Sequence, residues 1–256
     1  MKFGIIYQFV WGVVSFVLSF FLIISPIVTD VCAEGLLLQE KKAAGKAITI
    51  VLDPGHGGRQ AGAIGPGDIK EKDVALSLAR AVKKRLSPHY HIVLTRTDDY
   101  WIGIEDRAAM ANHYNADLFI SIHTGGSFRH RAGGLGTFYW SGEVSKGLHP
   151  PLTAPEKWNT EEASLAWERI QERHLSKSRS LAVRVHKELL GRLNTNDRGC
   201  QAALLYVLAG ADMPAILVEV GYVTNPTDEK QLASPVFLDI TAEGLSRAIT
   251  DFLQEE

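Results

Sequence analysis

Cysteine is scarce. Cys32 and Cys200 are the only two in 256 residues, too few for a disulfide framework or a cysteine-based zinc site. Any metal bound here must be held by histidine and carboxylate. Charge of one sign is also lacking: the formal net charge is -2, and no basic block tracks along the chain. A nucleic-acid partner is therefore not expected. There is no internal repeat and no sign of a second domain. Long apolar runs are absent except for one, the uncharged stretch from Phe3 to Thr29. It exceeds the roughly 20 residues needed to cross a bilayer and reads as an export signal or a membrane anchor. Pro26 interrupts it, and Val31-Cys32-Ala33 offers a cleavage site after Ala33. Residues 1–33 are thus expected to be a signal peptide or anchor, with the membrane a partner only if the leader is retained. Residues 34–46 read as a linker, and 47–254 as one domain placed outside the cytoplasm, in the periplasm or cell envelope.

With 46% hydrophobic and 22% charged residues, the remainder suits one α/β domain of roughly 200 residues. Ile48 to Leu52 is an apolar, β-branched run without polar alternation, as expected of a strand covered on both faces. It enters the turn "DPGHGG", where glycines 55, 57 and 58 allow a sharp bend around His56. Asp68 is a candidate helix cap, followed by Ala75, Leu78, Ala79, Val82 and Leu86 at helical spacing. Further strands are expected at 91–95, at 116–123 ending in His123, at 134–140 near an edge, at 203–208 and at 215–222. Helices are expected through Ile104, Ala108, Met110 and Ala111, from "NPTDEKQL", and through Ala242, Leu245, Ile249 and Phe252. Strands alternating with helices predict a mixed, mostly parallel sheet of about six strands with helices on both faces.

Two strands end in histidines, His56 and His123. Strand ends of one sheet converge, and ligands gather beyond the carboxyl ends, so the pair is a candidate for sharing a metal. Glu71 lies three residues after Asp68, which is also the spacing of a capping box. Glu219 lies inside the apolar run "AILVEVGY", where a carboxylate is costly without a partner. Either it pairs with Arg198 or Arg107, or it has chemical work. Two imidazoles and a carboxylate around zinc would leave one position for water and a net charge of +1, which suits amide hydrolysis. The second glutamate would then move the proton. His89, His91, His113, His149 and His186 read as surface or loop residues, and Trp140, Trp158 and Trp167 as packing.

The segments "VLDPGHGG", "IKEKDVALSLA", "RTDD", "ADLFISIH" and "PAILVEVGYVTNPTDEKQL" resemble, in order, the zinc-dependent N-acetylmuramoyl-L-alanine amidases of bacterial cell walls. The resemblance implies Zn2+ held by His56, Glu71 and His123, with Glu219 as the catalytic glutamate. It implies peptidoglycan as substrate, cut between the lactyl group of N-acetylmuramic acid and L-alanine of the stem peptide, in wall remodelling or daughter-cell separation. Two departures stand beside the expected metal: Gln60, where the family often has aspartate, and "HTGG" (123–126) in place of "HANA". The competing enzyme class is a zinc carboxypeptidase acting on wall peptides, with Arg198 or Arg107 holding a terminal carboxylate. A non-catalytic wall-binding module would be expected to lack one of the four residues.

Residues 141–174 exceed what a minimal family domain needs. "GLHPPLTAPEKW" reads as a loop. Asn159 then caps a helix carrying Ala163, Ala166, Trp167 and Ile170 on one stripe. Because the segment follows His123 closely and carries Glu161, Glu162, Glu168 and Glu172, it is expected to form an autoinhibitory lid. A protein activator acting on 141–174 would release it, as an inserted helix is displaced in some relatives.

Overall fold

The structure is a computed structural model that describes residues 47–141 and 170–255. The expected leader (1–33), the whole of the expected linker (34–46) and residues 142–169, with His149, Trp158 and Trp167, lie outside the described residues. The described elements are β1 (Thr49–Pro54), α1 (Glu71–Leu86), β2 (His91–Leu94), α2 (Ile104–His113), β3 (Leu118–Gly125), β4 (Leu135–Trp140), α3 (Leu175–Arg192), β5 (Asp197–Ala203), β6 (Ala215–Tyr222), α4 (Pro226–Leu232) and α5 (Pro235–Glu255).

The six strands form one sheet in the order β2-β1-β3-β6-β4-β5. Neighbours are parallel except β4 and β6, so the expected mixed, mostly parallel sheet is present. Strand side chains alternate between two cores. Ile50, Leu52, Leu118, Ile120, Ile122, Ile216, Val218 and Val220 pack with α1, α3 and α5 on one face. Val51, Phe119, Ala215 and Leu217 pack on the other, against Ala108 and Ala111 of α2 and against Val207, Leu208, Ala211 and Met213. Burial on both faces is why the central strands read as unbroken apolar runs.

Three local expectations are corrected. Residues 204–208 form a turn, and the strand lies one step earlier, at 197–203. The apolar character of Val207 and Leu208 comes from burying that turn on the sheet. The polar segment "DRGCQAA" is an edge strand paired only with β4. Asp68 does not cap α1: it sits at φ 66°, and the cap position belongs to Lys70, which makes no side-chain cap bond. His186 is not a surface residue; it is 8% exposed on α3, with Nε2 2.8 Å from Asp197 Oδ1. Trp140 packs as expected.

Sheet direction decides what meets where. The carboxyl ends of β1, β3 and β6 share one rim, and because β4 and β5 run against them, their amino ends come to the same rim. The far end of β4 lies beside the start of β6, Tyr139 pairing with Ile216. Both described roots of the 142–169 segment are there. Ser141 donates its N–H to Ala203 O at 3.3 Å. Buried Gln171 donates to Ala211 O, and His174 Nε2 lies 2.9 Å from Asp212 Oδ1. The described roots thus stand at the amino end of β6, from which a lid on 141–174 would have to run back along the sheet toward His123.

Candidate metal centre and active site

His56 adopts φ 61°, in the left-handed region, a conformation that persists only where the surroundings over-determine it. They do so through a buried charge network under the turn. Asp53, fully buried, accepts from Thr95 Oγ1 at 2.6 Å, Ser121 Oγ at 2.7 Å and Arg107 Nη1 at 2.7 Å. Arg107 also donates to Pro54 O at 3.0 Å and to His56 O at 2.9 Å. Arg96, fully buried at the end of the "IVLTR" segment, donates to Pro54 O at 2.9 Å and to Gly55 O at 2.8 Å. A side chain at residue 55 is impossible here, because its Cβ would stand 2.3 to 2.6 Å from the His123 ring.

Glu71 opens α1 with its side chain turned into the site rather than back to a cap. Oε1 accepts from Thr124 N at 3.1 Å and lies 2.9 Å from His123 Nδ1. Oε2 accepts from Ala63 N at 2.9 Å and lies 3.1 Å from His56 Nε2. Burial pushes this carboxyl up, but the hydrogen bonds to His123 and His56 outweigh it and hold the pKa at about 2. The group is ionised at any physiological pH. The two imidazoles stand edge to face, centroids 5.0 Å apart. One ligand atom from each of His56, Glu71 and His123 lies within 4.8 Å of the others. Two imidazole nitrogens and one carboxylate oxygen, with both histidines lining a cavity, are a donor set suited to a metal ion with an open position.

Glu219 stands on β6 directly opposite His123 of β3. It is half-buried, and burial raises its carboxyl above the usual range. Neither arginine considered from sequence is its direct partner. Arg107 is committed to Asp53, and Arg198 lies with Cζ 4.8 Å from the centroid of the Tyr222 ring. The partner is the Tyr222 hydroxyl, which donates to Glu219 Oε2 at 3.1 Å.

Beside His56 and His123 a cavity of about 600 Å³ runs along the α2 face, walled by Trp101, Ile104, Leu205 and Tyr206. Trp101, Ile104 and Tyr206 are each about half exposed, at 45%, 49% and 51%. Large apolar groups left open next to convergent polar ones make this the natural place for a ligand.

The family model for N-acetylmuramoyl-L-alanine amidase matches residues 50–251. The chain belongs to this family. Amidase AmiC of Neisseria meningitidis is 33% identical, over 82% of this chain and 53% of its own length. Amidase AmiA of Escherichia coli is 30% identical, over 84% of this chain and 78% of its own. The chain thus spans about half the length of the first relative and more than three quarters of the second. Among solved structures, amidase AmiC2 of Nostoc punctiforme is similar with a TM-score of 0.64 at 31% identity, covering 81% of this chain and 97% of that one. These relatives are amidases, which supports the amidase reading and gives the carboxypeptidase alternative no support.

Within this amidase framework the "HTGG" departure has a steric reason. A Cβ at Gly125 would stand 2.4 Å from the Tyr222 ring, and one at Gly126 would stand 2.9 Å from Ala63 Cβ. Gln60 lines the cavity and leaves the three candidate ligands where they are. Four contributors went unread in the sequence: Asp53, Arg96, Tyr222 and Asp228. The last accepts from Tyr222 N at 2.8 Å and Gly134 N at 2.9 Å, tying β6 to the start of β4. The signal for the first two was present, since each is a charged residue at the end of an apolar strand run.

Proposed function

We propose that this amidase domain hydrolyses the amide between the lactyl group of N-acetylmuramic acid and the L-alanine of the peptidoglycan stem, with His56, Glu71 and His123 holding one zinc ion. The observation carrying this reading is the convergence of two imidazoles and an ionised carboxylate within 4.8 Å, with Glu219 opposite His123 on the adjoining strand. When bound, zinc supplies a positive charge that acidifies water and favours negative charge on the amide oxygen. Glu71, ionised and bracketed by the two histidines, offers one negative charge against the ion's two. Glu219 takes the proton from the attacking water and delivers it to the departing L-alanine nitrogen. Burial suits it to both tasks, because a raised carboxyl pKa makes it a stronger base and leaves its protonated form a competent acid. The apolar cavity beside Trp101 and Tyr206 positions the substrate and keeps bulk water away.

A wall substrate places the work outside the cytoplasm, in keeping with the signal peptide or anchor expected at residues 1–33. Among the described residues no helix is long and apolar enough to cross a membrane. A reporter fused after Gln39 is expected to be active only outside the cytoplasm. The deciding experiment combines metal analysis of the purified domain with digestion of purified wall. One equivalent of zinc and release of whole stem peptides are expected. Trimming of single terminal residues, with the stem left on the glycan, would sink the reading.

A further inference from the structure

We infer that Tyr222 is a positioning residue for the reaction, its hydroxyl fixing one oxygen of Glu219 so that the other is left to carry the proton. The inference rests on the reading of Glu219 as the general base.

The geometry is built around that contact. Tyr222 lies three residues after Glu219 on β6, so a regular strand would turn the two side chains to opposite faces. The strand is not regular there. Gly221 has φ 73°, and the pairing of β3 with β6 shifts register between His123 and Gly125, leaving Gly125 opposite Tyr222. The irregularity returns the Tyr222 ring to the side of Glu219. The ring then occupies the volume a side chain at 125 would need. Arg198, from the amino end of β5, covers the ring, and the Tyr222 amide is fixed on Asp228 Oδ2. Tyr222 is 8% exposed, so its hydroxyl has little access to water as a competing partner. Among the described residues this is the hydrogen bond that holds the half-buried Glu219 carboxylate, which depends on it for orientation. A hydrogen bond to a charged group is among the stronger ones.

The test is Tyr222→Phe in the zinc-loaded domain, with kcat and KM measured on a soluble disaccharide-peptide fragment of wall. The ring and its packing remain; only the hydroxyl goes. A fall in kcat of about tenfold is expected, with KM, zinc content and melting temperature unchanged. Gly125→Ala, which forces the ring aside without touching the hydroxyl, is expected to lower kcat as well. Neither change should matter further once Glu219→Gln is in place, because a positioning effect has nothing left to position. An unchanged kcat for Tyr222→Phe overturns the inference. So does an equal fall in the Glu219→Gln background, which would make the hydroxyl a substrate contact. Near-normal turnover of Glu219→Gln alone would instead overturn the general-base reading beneath it.

Discussion

The two flanks of the site are held by different means. Under His56 lies a buried network of full charges, in which Asp53, Arg96 and Arg107 fix the turn through backbone carbonyls 54 to 56. Across the cleft Glu219 rests on a single phenolic hydroxyl and on strand packing. Damage to the first flank should cost the fold and the metal together. Damage to the second should cost turnover and little else. If zinc and the general base stand where we propose, the metal flank is structural and chemical at once, whereas the base flank is chemical only.

The sharpest break is removal of a candidate ligand. His56→Ala or His123→Ala is expected to abolish both zinc binding and stem-peptide release, since two remaining donors hold zinc poorly. A variant keeping stoichiometric zinc by elemental analysis would refute the assignment. Next, Arg107→Met leaves the buried Asp53 carboxylate without its cation. Breaking a buried pair this way costs about 3–5 kcal/mol, readable as a lower denaturation midpoint, with metal content falling alongside it. An unchanged midpoint would erase the contrast between the flanks. Glu219→Gln sits on the other side of the comparison: zinc and melting temperature kept, turnover down by at least about 10²-fold. Loss of zinc in that variant would make Glu219 a ligand instead of a base. The smallest effect belongs to Arg198→Met, where an exposed cation–π contact of about 0.5–1 kcal/mol disappears and kcat should shift only a few-fold. A loss as large as that of Glu219→Gln would mean Arg198 touches substrate.

Much of this was legible in the sequence, for reasons that can be named. β6 matched its expected span, 215–222, because both its faces are buried and its run is apolar but for Glu219 and Gly221. His56, His123 and Glu219 stood out as candidates because histidine at a strand end and glutamate within a strand are locally anomalous. Glu71 was ambiguous by residue spacing alone, and only the fold shows its carboxylate between two imidazoles. β5 was not legible: an edge strand paired on one side has no apolar pattern to announce it, and the buried turn at 204–208 imitated one. His186 was misjudged because polarity suggests exposure, while its place on α3 turns it toward β5 and Asp197. The Tyr222 contact was invisible because it depends on a register shift, which leaves no periodic trace.

The reversal of β4 has a consequence of its own. Its last residues lie at the start of β6, so chain inserted after Ser141 is hinged on the rim opposite the histidines. Ala215 and Glu219 are four residues apart on β6, roughly 13 Å at the usual strand rise. The candidate metal site and the described roots of the insertion thus lie toward opposite ends of β6. A lid on 141–174 reaching the metal, as the sequence leads one to expect, would have to run back along the sheet by about that distance, which a few residues of extended chain span.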